Sequence, residues 1–126
     1  MNLLFSHYWI LIAAIWCFGN GLLHDIFVLA NHKKNYDRDL LRLLMDGHVL
    51  ILSGAVYFVC FFMLQARLSY GAIIGIIIAI GMLIYCAMIF PFLKSFATMG
   101  INLMVIVVCI HALKILPGVF HHDKII

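Results

Sequence analysis

Charge is what this sequence has least of. Asp, Glu, Lys and Arg together make up 10% of its 126 residues, against about 25% in an average soluble domain, while 67% are hydrophobic. No water-soluble fold of this length hides that much apolar surface, so the soluble classes are excluded. The formal charge of +3 is small and sits in short connections rather than in a stripe with interleaved aromatics, which argues against a nucleic-acid partner. Residues 1–5 carry no Lys or Arg, and the apolar run that follows is longer than the roughly 7–15 residues of a signal-peptide core. The first segment is therefore expected to remain as a helix. Cys17, Cys60, Cys86 and Cys109 fall one to each apolar segment with no C-x-x-C pair, so neither a zinc ribbon nor a disulfide framework is indicated and four buried thiols are expected. No internal repeat or low-complexity stretch is present beyond the apolar bias. The length suits one domain, residues 1–126.

Four apolar stretches, residues 5–29, 43–64, 71–93 and 98–116, each reach the roughly 20 residues that a spanning helix needs. The links between them are short, which forces antiparallel neighbours. The expected fold is all-α: an integral membrane four-helix bundle running up-down-up-down, with lipid as its principal surroundings. The longest polar link contains Asp37, Arg38, Asp39 and Arg42, and its second half reads as the start of the second helix. Lys33, Lys34, Arg38, Arg42 and Lys94 lie on one side, against Arg67, Lys114 and Lys124 on the other. Positive charge favours the cytoplasm, so both termini are expected outside it, in an arrangement suited to a bacterial inner membrane. Gly71, Gly75 and Ala79 recur every four residues and offer a neighbouring helix a close approach. That neighbour belongs either to this chain or to a second copy, as in a homo-oligomer or a membrane complex.

Placing each segment on a slab about 30 Å thick, at about 1.5 Å per residue, sorts the polar residues by depth. Asn20, His24 and Asp25, Asp46 and His48, Tyr85, and Asn102 all fall toward the basic side, and every helix contributes. Ionisable groups in spanning segments face the bundle interior or a wet cavity, which makes this layer the candidate functional site. Asn20, His24, Tyr85 and Asn102 are expected to face one another. Cys17, Asn20, His24 and Asn31 share one stripe of the first helix, and Asp25 points about a quarter-turn away. On the second helix Asp46 shares a stripe with Ser53, Tyr57 and Cys60, while His48 lies almost opposite, so Asp46 and His48 cannot serve one centre. Arg42 and Asp46, four residues apart, are spaced for an ion pair at the membrane surface. His32 reads as a loop residue, and His121 and His122 as a solvated tail.

Histidines at matching depth on different helices are how a bundle holds haem iron, which takes axial imidazole nitrogen inside an apolar slot. His7 with His111, and His24 with His48, are the two such pairs. Haem b is thus the leading cofactor, with His24 the first ligand candidate and His24 and His48 the metal-ligating pair. Asn20, Tyr85 and Asn102 would line the cofactor's surroundings. The other readings are a membrane enzyme acting on a lipid-like or quinone-like substrate, with His24 as general base and Asp25 or Asp46 orienting it, and a non-catalytic subunit whose polar layer pins helices together.

The run Trp16-Cys17-Phe18-Gly19, then Phe27-Val28, the basic loop, Ile51-Leu52-Ser53-Gly54 and finally Tyr85-Cys86 resembles the pattern of the HemJ-type and CopD-like small membrane proteins. The resemblance covers about the first 90 residues. It implies a helical bundle and, for the HemJ type, a haem-containing protoporphyrinogen oxidase. Trp9 and Leu83 stand where that family places histidines.

Overall fold

A computed structural model describes residues 3–33, 35–90 and 95–116, without the side chains of residues 3–6. Four helices follow one another: α1 (Leu3–Asn31), α2 (Arg38–Gln65), α3 (Tyr70–Ile89) and α4 (Phe96–Ile115). Each is long and apolar enough to cross a membrane. The chain is an all-α membrane bundle in which α1 packs on α2, α2 on α3, α3 on α4, and α4 back on α1.

The helix limits follow local chemistry. α2 begins at Arg38 rather than residue 43, because the Asp37 carboxylate accepts the Leu40 N–H at 2.8 Å and caps the first turn. α3 ends at Ile89, before residue 93, ahead of Pro91, whose ring disfavours helical geometry in the residue before it; residues 91–94 lie outside the described part of the chain. The α2–α3 connection is a Schellman turn. Leu68 N–H donates to Met63 O at 2.9 Å and Arg67 N–H to Leu64 O at 3.0 Å, with Arg67 in the left-handed region at φ 58.

Size is sorted inside out. Ala13, Ala14, Cys17, Cys60, Ala72, Ala79, Cys109 and Ala112 are fully buried, whereas Ile15, Leu23, Phe27, Leu52, Phe62, Ile77, Ile84 and Val107 are exposed on the outer faces. Lipid is as apolar as leucine, so hydropathy alone does not drive large side chains inward, and small ones allow close backbone contact and dispersion; Tyr57, Ile10 and Leu64 are the large side chains that fill the core between them. The tightest seam joins α1 to α2. A Cβ added to Gly21 would lie 2.6 Å from Gly47 O, and one added to Gly54 would lie 2.6 Å from Phe18 N. The Gly71-Gly75-Ala79 face is satisfied within this chain: a Cβ on Gly71 would meet Met63 of α2 at 2.8 Å, and one on Gly75 would meet Cys109 of α4 at 2.8 Å.

These contacts set the relative levels of the helices. Twenty-residue α3 and α4 each span about 30 Å, whereas α2, at 28 residues, is about 12 Å longer. The surplus falls at its N-terminal end, because Gly71 lies beside Cys60 and Met63 while Tyr85 reaches Asp46. The first turns of α2, with Arg38 and Arg42, therefore stand at one membrane face. His24, Asp25, Asp46, His48 and Tyr85 lie just inside it.

Candidate functional site: a lateral cleft at the basic end

Two adjoining spaces that share lining residues open at this end. One, of about 520 Å³, is lined by all four elements, among them His24, Arg42, Asp46, Leu50, Tyr85, Ser95 and Thr98. The second, of about 760 Å³, shares His24, Leu50, Ser95 and Thr98 with the first and continues along Trp16, Asn20, Leu23, Ile26 and Phe27. Leu23, Ile26 and Phe27 are more than 60% exposed on the outer surface, so this second space opens sideways between α1 and α4. Together they form a polar recess near one membrane face with an apolar side entrance from lipid.

The polar groups of the recess are held from different helices. Tyr85 O–H donates to Asp46 Oδ1 at 2.8 Å, bridging α3 to α2. Arg42 makes no ion pair among the described residues: the expected contact with Asp46 is not formed, Asp46 Oδ1 accepts from Tyr85 instead, and the guanidinium stays at the rim of the recess. Ser95 is the N-cap of α4 but makes no side-chain cap, and its Oγ is sealed from solvent with no partner. The first N–H groups of α4 thus lack a side-chain acceptor, at the positive end of the helix dipole beside the recess. Trp16 Nε1–H donates to Thr98 Oγ1 at 3.3 Å and ties α1 to α4 across the side entrance.

Asp25 takes a different place from His24. Its carboxylate is buried in the α1–α2 seam, directly over Gly47; a Cβ there would fall 1.9 Å from Oδ1. Oδ2 lies 3.0 Å from His48 Nδ1, which is also 2.9 Å from Leu44 O. Both partners are acceptors, so Nδ1 of His48 carries the hydrogen. Oδ1 lies 3.5 Å from His24 Nδ1, and neither of those two atoms is hydrogen-bonded. His24 lines both spaces of the cleft, while the His48 side chain is 65% exposed and lines neither. Asp46 and His48 serve separate partners, as their helical spacing requires.

Asn20, His24, Tyr85 and Asn102 do not form one hydrogen-bonded group. Asn20 donates to its own helix at Trp16 O, at 2.8 Å. Asn102 is fully buried deeper in the bundle, where its Oδ1 accepts from Tyr57 O–H and its Nδ2 donates to Thr98 O at 2.7 Å. At the opposite end, His7 is buried with Nδ1 unpartnered, and His111 has Nε2 sealed and unpartnered. His32 lies in the α1–α2 connection, 3.4 Å from Asp37, and His121 and His122 lie outside the described residues. The four cysteines are free and buried. Among the described residues no group of three or more His, Cys, Asp or Glu has the arrangement of a metal site.

Sequence reasoning missed Arg42, Ser95, Thr98 and Trp16 as cleft residues. A serine and a threonine three apart at the start of a helix were the available signal, but the space they line exists only once α1 and α4 splay apart.

The fold and the cleft define a class: an integral membrane four-helix bundle with a polar recess reached sideways from the bilayer. No family model, curated protein or solved structure matches the chain.

Proposed function

We propose that the chain binds an amphipathic, lipid-like or quinone-like molecule whose polar head enters the recess while its apolar body leaves between α1 and α4. The observation that carries this reading is that the two spaces share His24, Leu50, Ser95 and Thr98 as lining, the one bordered by Arg42, Asp46 and Tyr85 and the other by outward-facing apolar side chains. The free Arg42 at the rim and the uncapped start of α4 suit a head that accepts hydrogen bonds, such as a phosphate, a carboxylate or a quinone carbonyl. His24 is the group placed to exchange a proton with that head, with Asp46 held by Tyr85 on the facing wall. The basic end is read as cytoplasmic in a bacterial inner membrane, with both termini on the other side.

The test uses Trp16, which lines the side entrance. A short-chain ubiquinone and a lysophosphatidic acid, titrated separately into the detergent-solubilised protein, distinguish the two head chemistries by the tryptophan emission they change. One of them is expected to give a saturable change, weakened about tenfold or more by Arg42→Gln and by His24→Leu, in line with the roughly 1.5–3 kcal/mol of a charge-assisted hydrogen bond. An unsaturable response to both, unchanged in the variants, refutes the reading.

Haem b, implied by the HemJ-type resemblance, is the second reading, and a different pair of histidines supports it. His24 and His48 do not share one space: His24 borders the cleft, and His48 lines neither part of it. His7 and His111 fit in kind, since each keeps a buried ring nitrogen without a partner among the described residues, on adjacent helices. Bound there, haem would supply one-electron chemistry. A Soret band that His111→Ala removes and His24→Ala leaves intact supports this reading; protein that stays colourless when expressed with abundant haem overturns it.

A further inference from the structure

We infer that Asp25 is the positioning residue for His24: it holds the neutral imidazole with its hydrogen on Nδ1, so that the cleft meets a bare Nε2 that accepts. The inference deepens the cleft reading and rests on it only for the ligand. Asp25 is buried in the seam between α1 and α2, and it fits there because residue 47 is glycine; a side chain at 47 would occupy the space of the carboxylate. A carboxylate so enclosed is costly unless its oxygens meet donors. Oδ2 meets one, the Nδ1–H of His48 at 3.0 Å, whose hydrogen is fixed on that nitrogen because its other neighbour, Leu44 O, also accepts. Oδ1 faces His24 Nδ1 at 3.5 Å, and both atoms are sealed from solvent with no other partner. A lone pair on Nδ1 would face an anionic oxygen across a dry gap, whereas a hydrogen there is attracted to it. The tautomer of His24 therefore follows from the carboxylate.

Asp46, the other carboxylate at the cleft, does not play this part. Its Oδ1 accepts from Tyr85 O–H, and the carboxylate within ion-pair reach of His24 is that of Asp25. His24 borders both spaces of the cleft, and with Nδ1 sealed, Nε2 is the ring nitrogen that opens on them. This sets the polarity of the wall a ligand meets. Arg42 and the uncapped start of α4 offer hydrogens, while His24 offers a lone pair. The head that satisfies both sides carries a hydroxyl hydrogen beside an acceptor oxygen. A quinol has this pattern, and so does the head of a lysophosphatidic acid, with a free hydroxyl next to its phosphate. A quinone does not, because its carbonyl would turn a lone pair toward the lone pair of Nε2.

Nitrogen-15 labelling of histidine in the full chain, solubilised in detergent without ligand at a pH of about 8.5, above the ordinary histidine range, reads the tautomer from the couplings of each ring nitrogen to the ring C–H protons. His24→Gln identifies the His24 signals by their loss. The wild-type ring is expected to carry its hydrogen on Nδ1; a hydrogen on Nε2 overturns the inference. Asp25→Asn keeps the shape of the side chain and an oxygen for His48, which turns the amide NH2 toward His24 Nδ1, so the His24 hydrogen is expected to move to Nε2. An unchanged tautomer in Asp25→Asn, or a change in Asp46→Asn instead, also overturns it. Should Asp25→Asn not fold, the wild-type spectrum decides alone. Calorimetric titration near neutral pH with a short-chain ubiquinol, kept reduced, and with a lysophosphatidic acid tells the two hydroxyl-bearing heads apart, and the matching ubiquinone is the head without a hydroxyl. At least one of the first two should bind about tenfold tighter than ubiquinone, the scale of one hydrogen bond made rather than left open, and Asp25→Asn should abolish that preference. Ubiquinone binding as tightly as both overturns the acceptor. If none of the three binds, the cleft reading fails while the tautomer result stands.

Discussion

The two ends of the bundle are built on opposite principles. At the end where α2 meets α3, the chain turns back through a Schellman motif with both of its hydrogen bonds formed, and Gly71 lets α3 rest on Cys60 and Met63. At the other end, four elements splay around a recess that holds a free Arg42, an unengaged Ser95 and an unmatched pair of atoms on His24 and Asp25. Among the described residues the sealed, unpartnered side-chain atoms of His24, Asp25, His32 and Ser95 lie at this end and those of His7 and His111 at the other; polar groups without partners cost stability, so the excess beside the recess is what a binding site looks like. The comparison also separates two kinds of buried polar group. Tyr57 and Asn102, deep in the bundle, satisfy each other and the backbone; the cleft residues do not.

Four substitutions sharpen the contrast. The largest effect is expected at the α1–α2 seam: Gly21→Ala drives a methyl against the Gly47 carbonyl, a backbone atom that cannot step aside. The helices must part, at a cost of about 1–3 kcal/mol, while Gly100→Ala, which meets nothing within 4 Å, should be neutral or slightly stabilising. Melting curves in detergent compare the two directly, and equal melting temperatures would show that the seam is not tight. Next comes Tyr57→Phe, which leaves Asn102 Oδ1 without its donor in a dry interior and should lower stability by about 1–3 kcal/mol. It should not change the cleft titration; a loss of binding there would join the deep pair to the site. The smallest effect is at the closed end, where Arg67→Gly removes a side chain from a left-handed backbone and should raise stability by about 1 kcal/mol. A decrease would mean that the Arg67 side chain, rather than the turn, holds that end.

Much of this architecture is written along the chain itself. Four spans of about 20 apolar residues leave a membrane helix as the only way to satisfy their backbone hydrogen bonds, and helical period alone predicts that Asp46 and His48 go to different partners. The basic residues and the depth of His24, Asp25 and Tyr85 likewise locate a polar layer near one face. The layer's wiring is another matter. Arg42 and Asp46 have ideal spacing for an ion pair, yet Tyr85, 39 residues away, takes the carboxylate. Asn20 and His24 share a stripe, yet Asn20 turns back on its own helix. Asp25 looks like a neighbour of His24 by sequence, but its better contact is on α2.

The sequence by itself determined the membrane class, the number of spans and the end that carries the polar layer, because each follows from hydropathy, length and period within one segment. Which polar groups meet was decided by the tertiary structure. Glycines at 21, 47 and 54 bring α1 and α2 into backbone contact, while α4 stands off far enough to leave a cleft. Distances between helices depend on side chains from both partners at once, and no single segment contains that information.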